Sequence, residues 1–207
     1  MNVAATPGAG SLLASLGVTP LGSFTFSLLA GSTPGFSITP SGQLSATAAL
    51  GAGTTSTLLV RATGPLGTLD EIVTVRNGTA TSNTINGDGS RDIVFGAAGN
   101  DTINGAGGND ILYGQAGRDT IGGGDGDDVI EGGAANDILS GGNGADRFRF
   151  TIGDGVDAVD GGDGQDRLEV FGTAAANTLS VTWDGAQLVV AGQTLTSVEE
   201  IDRKSVA

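Results

Sequence analysis

Between residues 78 and 169 the chain places an acidic or amide side chain in a strict nine-residue rhythm, with one interruption. The series consists of Asn83, Asp92, Asp101, Asp110, Asp119, Asp128, Asp137, Asp146, Asp157 and Asp166. Glycine dominates the residues that precede each of them. Carboxylates, together with the carbonyl groups of a glycine-rich turn, are hard oxygen donors, which suit Ca²⁺ better than a softer metal. The spacing therefore predicts a row of calcium sites.

The repeated unit is clearest in GAAGNDTIN (96–104), where glycine opens the unit and aspartate stands sixth. Eight units run unbroken from 78 to 149, Phe150 and Thr151 interrupt them, and two more units follow at 152–160 and 161–169. The eighth position is apolar in every unit: Ile85, Val94, Ile103, Leu112, Ile121, Ile130, Leu139, Phe148, Val159 and Leu168. A chance match over ten units is very improbable.

Two structural elements must position these residues. The glycine-rich half of the unit needs backbone angles that glycine adopts cheaply, so we expect it to turn. The last three residues hold one inward apolar side chain between two outward ones, which predicts a short strand. Such strands are stable only when stacked neighbours bury a continuous apolar row.

Residues 78–169 resemble the RTX repeats of proteins exported by type I secretion. The resemblance implies a right-handed parallel β-roll with two units per turn and an ion between successive loops on the same side. Asp101 would then act with Asp119 and Asp137 on one side, while Asp92, Asp110, Asp128 and Asp146 line the other. Asn83, Ser90 and Ala135 depart from the family pattern.

The resemblance implies roughly six Ca²⁺ ions, held by sixth-position aspartates and carbonyl groups of the first four positions. The predicted ligand residues are Asp92, Asp101, Asp110, Asp119, Asp128, Asp137, Asp146, Asp157, Asp166, Gly96, Gly99, Gly105, Gly108, Gly114, Gly117, Gly124, Gly126, Gly133, Gly142 and Gly144.

Charge makes the ion a predicted condition of folding. The chain has 23 acidic and 9 basic residues, and residues 78–169 alone hold 17 and 5 of them. Without metal such a glycine-rich acidic segment cannot offset its chain entropy, so metal binding supplies the folding free energy. An acidic linker has no reason to keep this register. An EF-hand is excluded because the acidic run at 125–128 lacks the glutamate required at loop position 12. A nucleotide-binding loop is excluded because no glycine-rich turn here opens a predicted helix.

The flanking segments predict further β structure, so the expected fold class is all-β. Residues 1–77 contain short β runs separated by turns, typical of an antiparallel β-sandwich. Their order resembles bacterial cadherin-like domains, although residues 1–69 contain no acid, so we expect no calcium there. Residues 170–207 predict a C-terminal β cap with a hairpin at Asp184-Gly185.

The role of individual C-terminal residues stays open. Trp183, Val170 and Phe171 are candidates to cover the last apolar layer of the roll, because an open roll needs a cap. Trp183 could alternatively stack on a sugar ring. Residues 198–201 form either a last strand or part of an export signal.

The chain has no His and no Cys, which excludes triad catalysis, disulfides and His-ligated zinc. A carboxylate pair could hydrolyse glycosides, but most aspartates belong to the repeat, so we expect no enzyme. The sequence contains no run of 18 apolar residues, so it predicts no transmembrane helix. The N-terminus lacks the basic region of a Sec signal, which fits the C-terminal export signal that the resemblance implies.

We therefore expect a secreted, extracellular or cell-surface protein that binds calcium and acts as a surface layer, matrix filament or adhesin. Self-association or a surface polysaccharide would provide its partner. The acidic surface argues against nucleic acid. The alternative is the C-terminal export and folding module of a larger secreted hydrolase or toxin.

Overall fold

The computed structural model describes residues 12–15, 25–64, 67–171, 181–183, 188–190, 193–196 and 200–204. Its described elements are β-strands, and none of these residues is helical. In chain order they are β1 (Leu12–Ser15), β2 (Thr25–Leu28), β3 (Phe36–Ile38), β4 (Gln43–Ala46), β5 (Thr55–Gly64), β6 (Gly67–Asn77), β7 (Thr84–Asn86), β8 (Arg91–Ala98), β9 (Thr102–Gly107), β10 (Ile111–Ala116), β11 (Thr120–Asp125), β12 (Val129–Ala134), β13 (Ile138–Asn143), β14 (Arg147–Thr151), β15 (Ala158–Asp163), β16 (Arg167–Phe171), β17 (Val181–Trp183), β18 (Leu188–Val190), β19 (Gln193–Thr196) and β20 (Glu200–Lys204).

The repeats form a parallel β-solenoid of about six turns. Successive strands alternate between two sheets. The front sheet contains β8, β10, β12, β14, β16 and β20, and the back sheet contains β7, β9, β11, β13, β15 and β19. Neighbours within each sheet are parallel, as in the pairing of Leu112 with Val94 and Ile130. The predicted all-β fold and parallel roll are confirmed.

The roll core consists of the eighth-position side chains. From Val94 to Leu168 these side chains are at most 3% exposed and form one cluster, with Ile85 partly buried at its N-terminal end. Each roll strand supplies one eighth-position residue, so each turn of the roll, which has two strands, supplies two. Stacking therefore produces the continuous apolar row that isolated three-residue strands could not bury.

The strands are longer than the sequence predicts. A typical strand has six residues and covers positions 7–9 of one unit and positions 1–3 of the next, so only positions 4–6 turn. Parallel pairing continues through the glycine-rich half, where Gln115 pairs with Ala97 and Gly133. The prediction that this whole half turns was wrong, because neighbouring turns supply backbone partners that a single unit does not reveal.

The interruption at Phe150 and Thr151 adds to the core. Phe150 is 4% exposed, pairs with Val170 across β14 and β16, and belongs to the same core cluster. A turn follows in which Asp154 donates its backbone N–H to the Thr151 carbonyl over 3.0 Å. The two extra residues therefore lengthen one turn of the roll without shifting the later units out of line.

The N-terminal strands extend the front sheet. The hairpin of β5 and β6 is antiparallel, and β6 pairs in parallel with β8, the first long roll strand. A separate sheet in the order β1-β4-β3 supplies Leu44 and Ala46 to a second core cluster, which also contains Ile93 and Phe95 of β8. The described residues of this segment therefore form short β-strands, as their sequence predicts, while the β-sandwich and its cadherin-like identity stay predictions.

The C-terminal backbone continues both sheets. Strands β17 and β18 form an antiparallel hairpin, and β18 leads into β19, which pairs in parallel with β15. Strand β20 pairs in parallel with β16, so residues Glu200–Lys204 form a last strand. Val170 is buried in the roll core and Phe171 is half-buried. The side chain of Trp183 lies outside the described residues, so its role stays a prediction.

Candidate metal centre

The sixth-position aspartates form two ladders, one along each side of the roll. In each ladder the backbone N–H of one aspartate donates to Oδ1 of the aspartate one full turn later. Asp101 donates to Asp119 over 2.7 Å, and Asp119 donates to Asp137 over 2.8 Å. The other side runs through Asp92, Asp110, Asp128, Asp146 and Asp166, with distances of 2.7, 2.7, 2.9 and 2.8 Å.

The ladders continue across the two-residue interruption. Asp137 donates to Oδ1 of Asp157 over 3.0 Å, a separation of twenty residues in place of eighteen. The structure thus brings together on each side the aspartates that the resemblance to RTX repeats assigned to that side. Asp157 and Asp166 join the same two ladders.

The second carboxylate oxygen is what distinguishes these side chains. All nine aspartates are at most 4% exposed. In six of them Oδ2 is buried and accepts no hydrogen bond from any residue that the structure describes: Asp101, Asp110, Asp119, Asp128, Asp137 and Asp146. A buried charged oxygen without a partner is costly. Each such oxygen therefore requires either a proton or a cation.

A backbone carbonyl lies beside these oxygens. A Cβ placed on Gly96 would lie 2.6 Å from both Asp101 Oδ2 and the carbonyl oxygen of Gly114, the first residue of the next unit on that side. The same two kinds of oxygen crowd Gly105 and Gly114. At these three first positions glycine leaves open the space onto which the oxygens converge, which a side chain would fill.

Burial controls the charge of the ladder. Desolvation raises the pKa of Asp110, Asp119, Asp128 and Asp157 to about 7. It raises the pKa of Asp137 and Asp146 to about 6. Neighbouring aspartates add like-charge repulsion, as Asp110 and Asp146 do at Asp128. A bound cation would reverse both effects by neutralising the carboxylates.

The donor set fits a hard cation. It combines one buried carboxylate oxygen with backbone carbonyls, and it contains no nitrogen or sulfur donor, which favours Ca²⁺ over softer metals. Among the described residues no group of three or more His, Cys, Asp or Glu side chains could hold a metal. Any ion here is therefore held largely by the backbone, which explains the dependence on glycine.

The other predicted glycines shape the loop. Gly99, Gly108, Gly117, Gly126 and Gly144 at position 4 have φ between 107° and 138°, and Gly124, Gly133 and Gly142 at position 2 have φ between 99° and 114°. This region strongly favours glycine. Ala97, Ala106 and Gln115 adopt positive φ at position 2, and Ala135 does so at position 4 with φ 93°.

The first unit on each side differs from the rest. Asn83 is neutral, and its Oδ1 accepts the backbone N–H of Thr79 over 2.7 Å. Asp92 has both carboxylate oxygens engaged, with Arg76 Nε donating to Oδ1 and the Asp88 backbone N–H donating to Oδ2. The Ser90 hydroxyl forms a hydrogen bond with Asp88 Oδ1. The departures from the family pattern at Asn83 and Ser90 therefore both lie at the N-terminal end of the roll.

Sequence reasoning missed two groups of residues. Gly123, Gly132 and Gly141 also open their units and lie against the Oδ2 atoms of Asp128, Asp137 and Asp146. The nine-residue register alone would have included them. Arg76 precedes the first repeat, and the repeat pattern gives no signal for it.

The chain is a parallel-solenoid repeat protein with a ladder of buried carboxylate oxygens, a donor set suited to hard cations, on each side of the roll. Residues 77–112, 86–121 and 113–148 match the family model of the RTX calcium-binding nonapeptide repeat. The match spans about a third of the chain. Together with the solenoid it supports an RTX-type protein with calcium-binding repeats. No curated protein matches the chain as a relative.

Proposed function

We propose that this chain is a secreted calcium-binding protein whose roll folds on binding Ca²⁺ outside the cell and then serves a non-catalytic structural, self-assembling or adhesive role. The observation that carries the proposal is the set of six buried Oδ2 atoms without a hydrogen-bond donor among the described residues. Calcium bound beside these oxygens would neutralise them and link successive turns.

Charge explains why the ion would act as a folding switch. The formal net charge of the chain is −14, and the ladder aspartates are buried. From Asp101 onward each accepts, at Oδ1, the backbone N–H of the ladder residue one turn earlier over at most 3.0 Å. Ionised carboxylates in that environment oppose folding, while divalent cations bound only by the folded state stabilise it by mass action. Low calcium inside a cell and high calcium outside would then determine where the roll folds.

RTX repeat proteins are typically secreted, which supports an extracellular location. The described residues include no helix that is long and apolar enough to cross a membrane. A non-catalytic role is supported by the absence of His and Cys from the sequence and by the use of the buried aspartates in the ladders.

The outer face of the back sheet supports assembly or adhesion. Its exposed side chains include the acidic Asp160, but most are uncharged: Thr84, Asn86, Thr102, Asn104, Thr120, Ile138, Ser140 and Ala158. Such a largely uncharged face on an acidic protein can approach another surface with less charge repulsion. It would form only after calcium orders the strands that present it.

The folding proposal is tested by far-UV circular dichroism and calorimetric titration of the full chain in EDTA, Ca²⁺ and Mg²⁺. We expect a large gain of β signal and several bound ions in millimolar Ca²⁺, and a much smaller response to Mg²⁺, which demands octahedral geometry. Identical spectra in EDTA and Ca²⁺ would contradict the proposal.

The assembly proposal needs a separate measurement. Light scattering during size-exclusion chromatography, with and without Ca²⁺, should show association only with Ca²⁺. Thr120→Arg, which adds charge to the outer face of the back sheet, should reduce association while leaving calcium-dependent folding intact. A strictly monomeric calcium-loaded protein would contradict self-assembly. The adhesive role would then require a partner other than a second copy of the chain.

A further inference from the structure

Arg76 occupies a special place at the N-terminal end of the roll. It lies on β6 opposite Val94, so it stands where the next apolar core residue of the front sheet would be. Its guanidinium binds two carboxylates, with Nε 2.7 Å from Asp92 Oδ1 and Nη2 2.8 Å from Asp88 Oδ2. Arginine suits this role because its planar fork can bind two acceptors at once.

The carboxylate of Asp92 is completed by protein groups alone. Its Oδ1 accepts a hydrogen bond from Arg76 Nε, and its Oδ2 accepts one from the backbone N–H of Asp88 over 2.9 Å. Asp110, the next member of that ladder, has a buried Oδ2 that accepts no hydrogen bond from the described residues. The first carboxylate of this ladder therefore has a positive charge at Oδ1, where later members accept a backbone N–H, and a backbone donor at Oδ2, where Asp110 has none.

Strand β8, which contains Asp92, is buried on both of its faces. Val94 points into the roll core, while Ile93 and Phe95 belong to the second core with Leu58 and Val73 of the N-terminal strands. All three β8 side chains are at most 1% exposed. Apolar burial of this kind stabilises a strand without any metal.

From these contacts we infer that Arg76 is a fixed cation that neutralises the first ladder carboxylate, as calcium would at later turns, so that β6 and β8 form a calcium-independent end on which the calcium-bound turns assemble. The inference rests on the proposed calcium-dependent folding of the remaining roll. It assigns to Arg76 a positioning role, because the residue neutralises Asp92 and holds β8 in register for β10.

Hydrogen exchange of the full chain in EDTA tests this directly. We expect the amides of 91–98 to be protected together with those of 55–64, while the amides of 120–143 exchange freely. Arg76→Met keeps an apolar stem but removes the charge, so protection of 91–98 in EDTA should fall at least about tenfold, since it leaves the buried Asp92 carboxylate without its partner charge. Arg76→Lys should restore part of it.

Arg61→Met is the matched control, because Arg61 pairs with exposed Asp70 in the same β5–β6 hairpin. It should leave exchange at 91–98 unchanged. A calcium titration of each variant adds a second readout, in which Arg76→Met should require more Ca²⁺ to reach half of the folding signal.

Two outcomes overturn the inference while leaving the proposed function intact. One is a wild-type calcium response with exchange at 91–98 as fast in EDTA as at 120–143. The other is an Arg76→Met protein that matches the wild type and Arg61→Met in both measurements. Failure of the wild-type chain to gain structure with Ca²⁺ would instead contradict the proposed function itself.

Discussion

The backbone N–H of Asp101 donates to Oδ1 of Asp119 over 2.7 Å, although eighteen residues separate them. The same carboxylate keeps its Oδ2 buried without a hydrogen-bond donor among the described residues. One oxygen of each ladder aspartate therefore joins two turns of the roll, and the other remains for an ion. Mutation can test the roles of these two oxygens separately.

Asp119→Asn should preserve the hydrogen bond from Asp101 but weaken calcium binding, because the amide keeps one acceptor oxygen and loses the charge. We expect the variant to fold in excess Ca²⁺ with fewer bound ions and a higher calcium midpoint by calorimetry. Asp119→Ala should lower the free energy of unfolding in urea by about 1–3 kcal/mol more than Asp119→Asn does, since it leaves the buried Asp101 N–H without an acceptor.

Asp160→Asn provides the control for both variants. Asp160 lies exposed on the outer face of β15, outside the ladders. It removes the same charge from the chain, so any effect of net charge alone would appear there too. Equal calcium midpoints for Asp119→Asn and Asp160→Asn would contradict the role assigned to the ladder.

Acid should partly replace calcium. Burial raises the pKa of Asp119 and Asp128 to about 7, above the ordinary value of 3.8. The metal-free folded state therefore holds more protons than the unfolded state between about pH 4 and 7, and its stability falls as pH rises through that window. In EDTA we expect more β signal at pH 5 than at pH 8 by circular dichroism.

The converse effect should appear in calcium titrations. Binding Ca²⁺ near pH 6 should release protons, which calorimetry in buffers of different ionisation enthalpy measures. Apparent calcium affinity should fall as pH drops from 8 to 5. An affinity that does not change over this range would contradict protonation of the ladder in the metal-free roll.

Most of the roll could be predicted from the sequence because its repeat is strict. A nine-residue register determines which side chain points inward, and Leu112 and Ile130 lie buried in the core as their eighth positions require. The resemblance to RTX repeats, with two units per turn, placed Asp101 and Asp119 on one side of the roll. Local pattern and stacked neighbours agree at every turn, which is why the prediction succeeded.

The ends of the roll could not be predicted in the same way. Arg76 and Asp92 meet only because β6 pairs with β8, a contact between a repeat and a segment without repeats. Ile93 and Phe95 are apolar at outward positions, where the N-terminal strands cover them. The sequence shows this pair of apolar residues, but it does not show which surface packs against them.

Phe150 tests whether the interruption of the repeat is structural. It is 4% exposed and pairs with Val170, which is fully buried. Phe150→Ala in excess Ca²⁺ should lower the free energy of unfolding by about 3–5 kcal/mol, because it leaves a cavity in the roll core. Phe171→Ala should cost less, since Phe171 is only half-buried and lies under the Arg149 guanidinium. Urea unfolding of both variants decides the point, and similar costs would contradict the assigned packing.

Ala135 is the residue whose replacement should stabilise the roll. Its φ of 93° lies in the region that favours glycine, and the equivalent Gly126 and Gly144 have φ of 127° and 138°. Ala135→Gly should raise the free energy of unfolding of the calcium-loaded protein by about 1 kcal/mol, because it removes the strain of a Cβ in that conformation.

Two matched variants check the physical reason. Gly126→Ala should cost at least about 1–2 kcal/mol, because it introduces the same strain and directs a Cβ against the Gly108 carbonyl. Ala98→Gly, in a strand position without positive φ, should cost about 0.5–1 kcal/mol, because glycine there only adds chain entropy. If Ala135→Gly were as destabilising in urea as Ala98→Gly, backbone strain at position 4 would not explain why glycine recurs there.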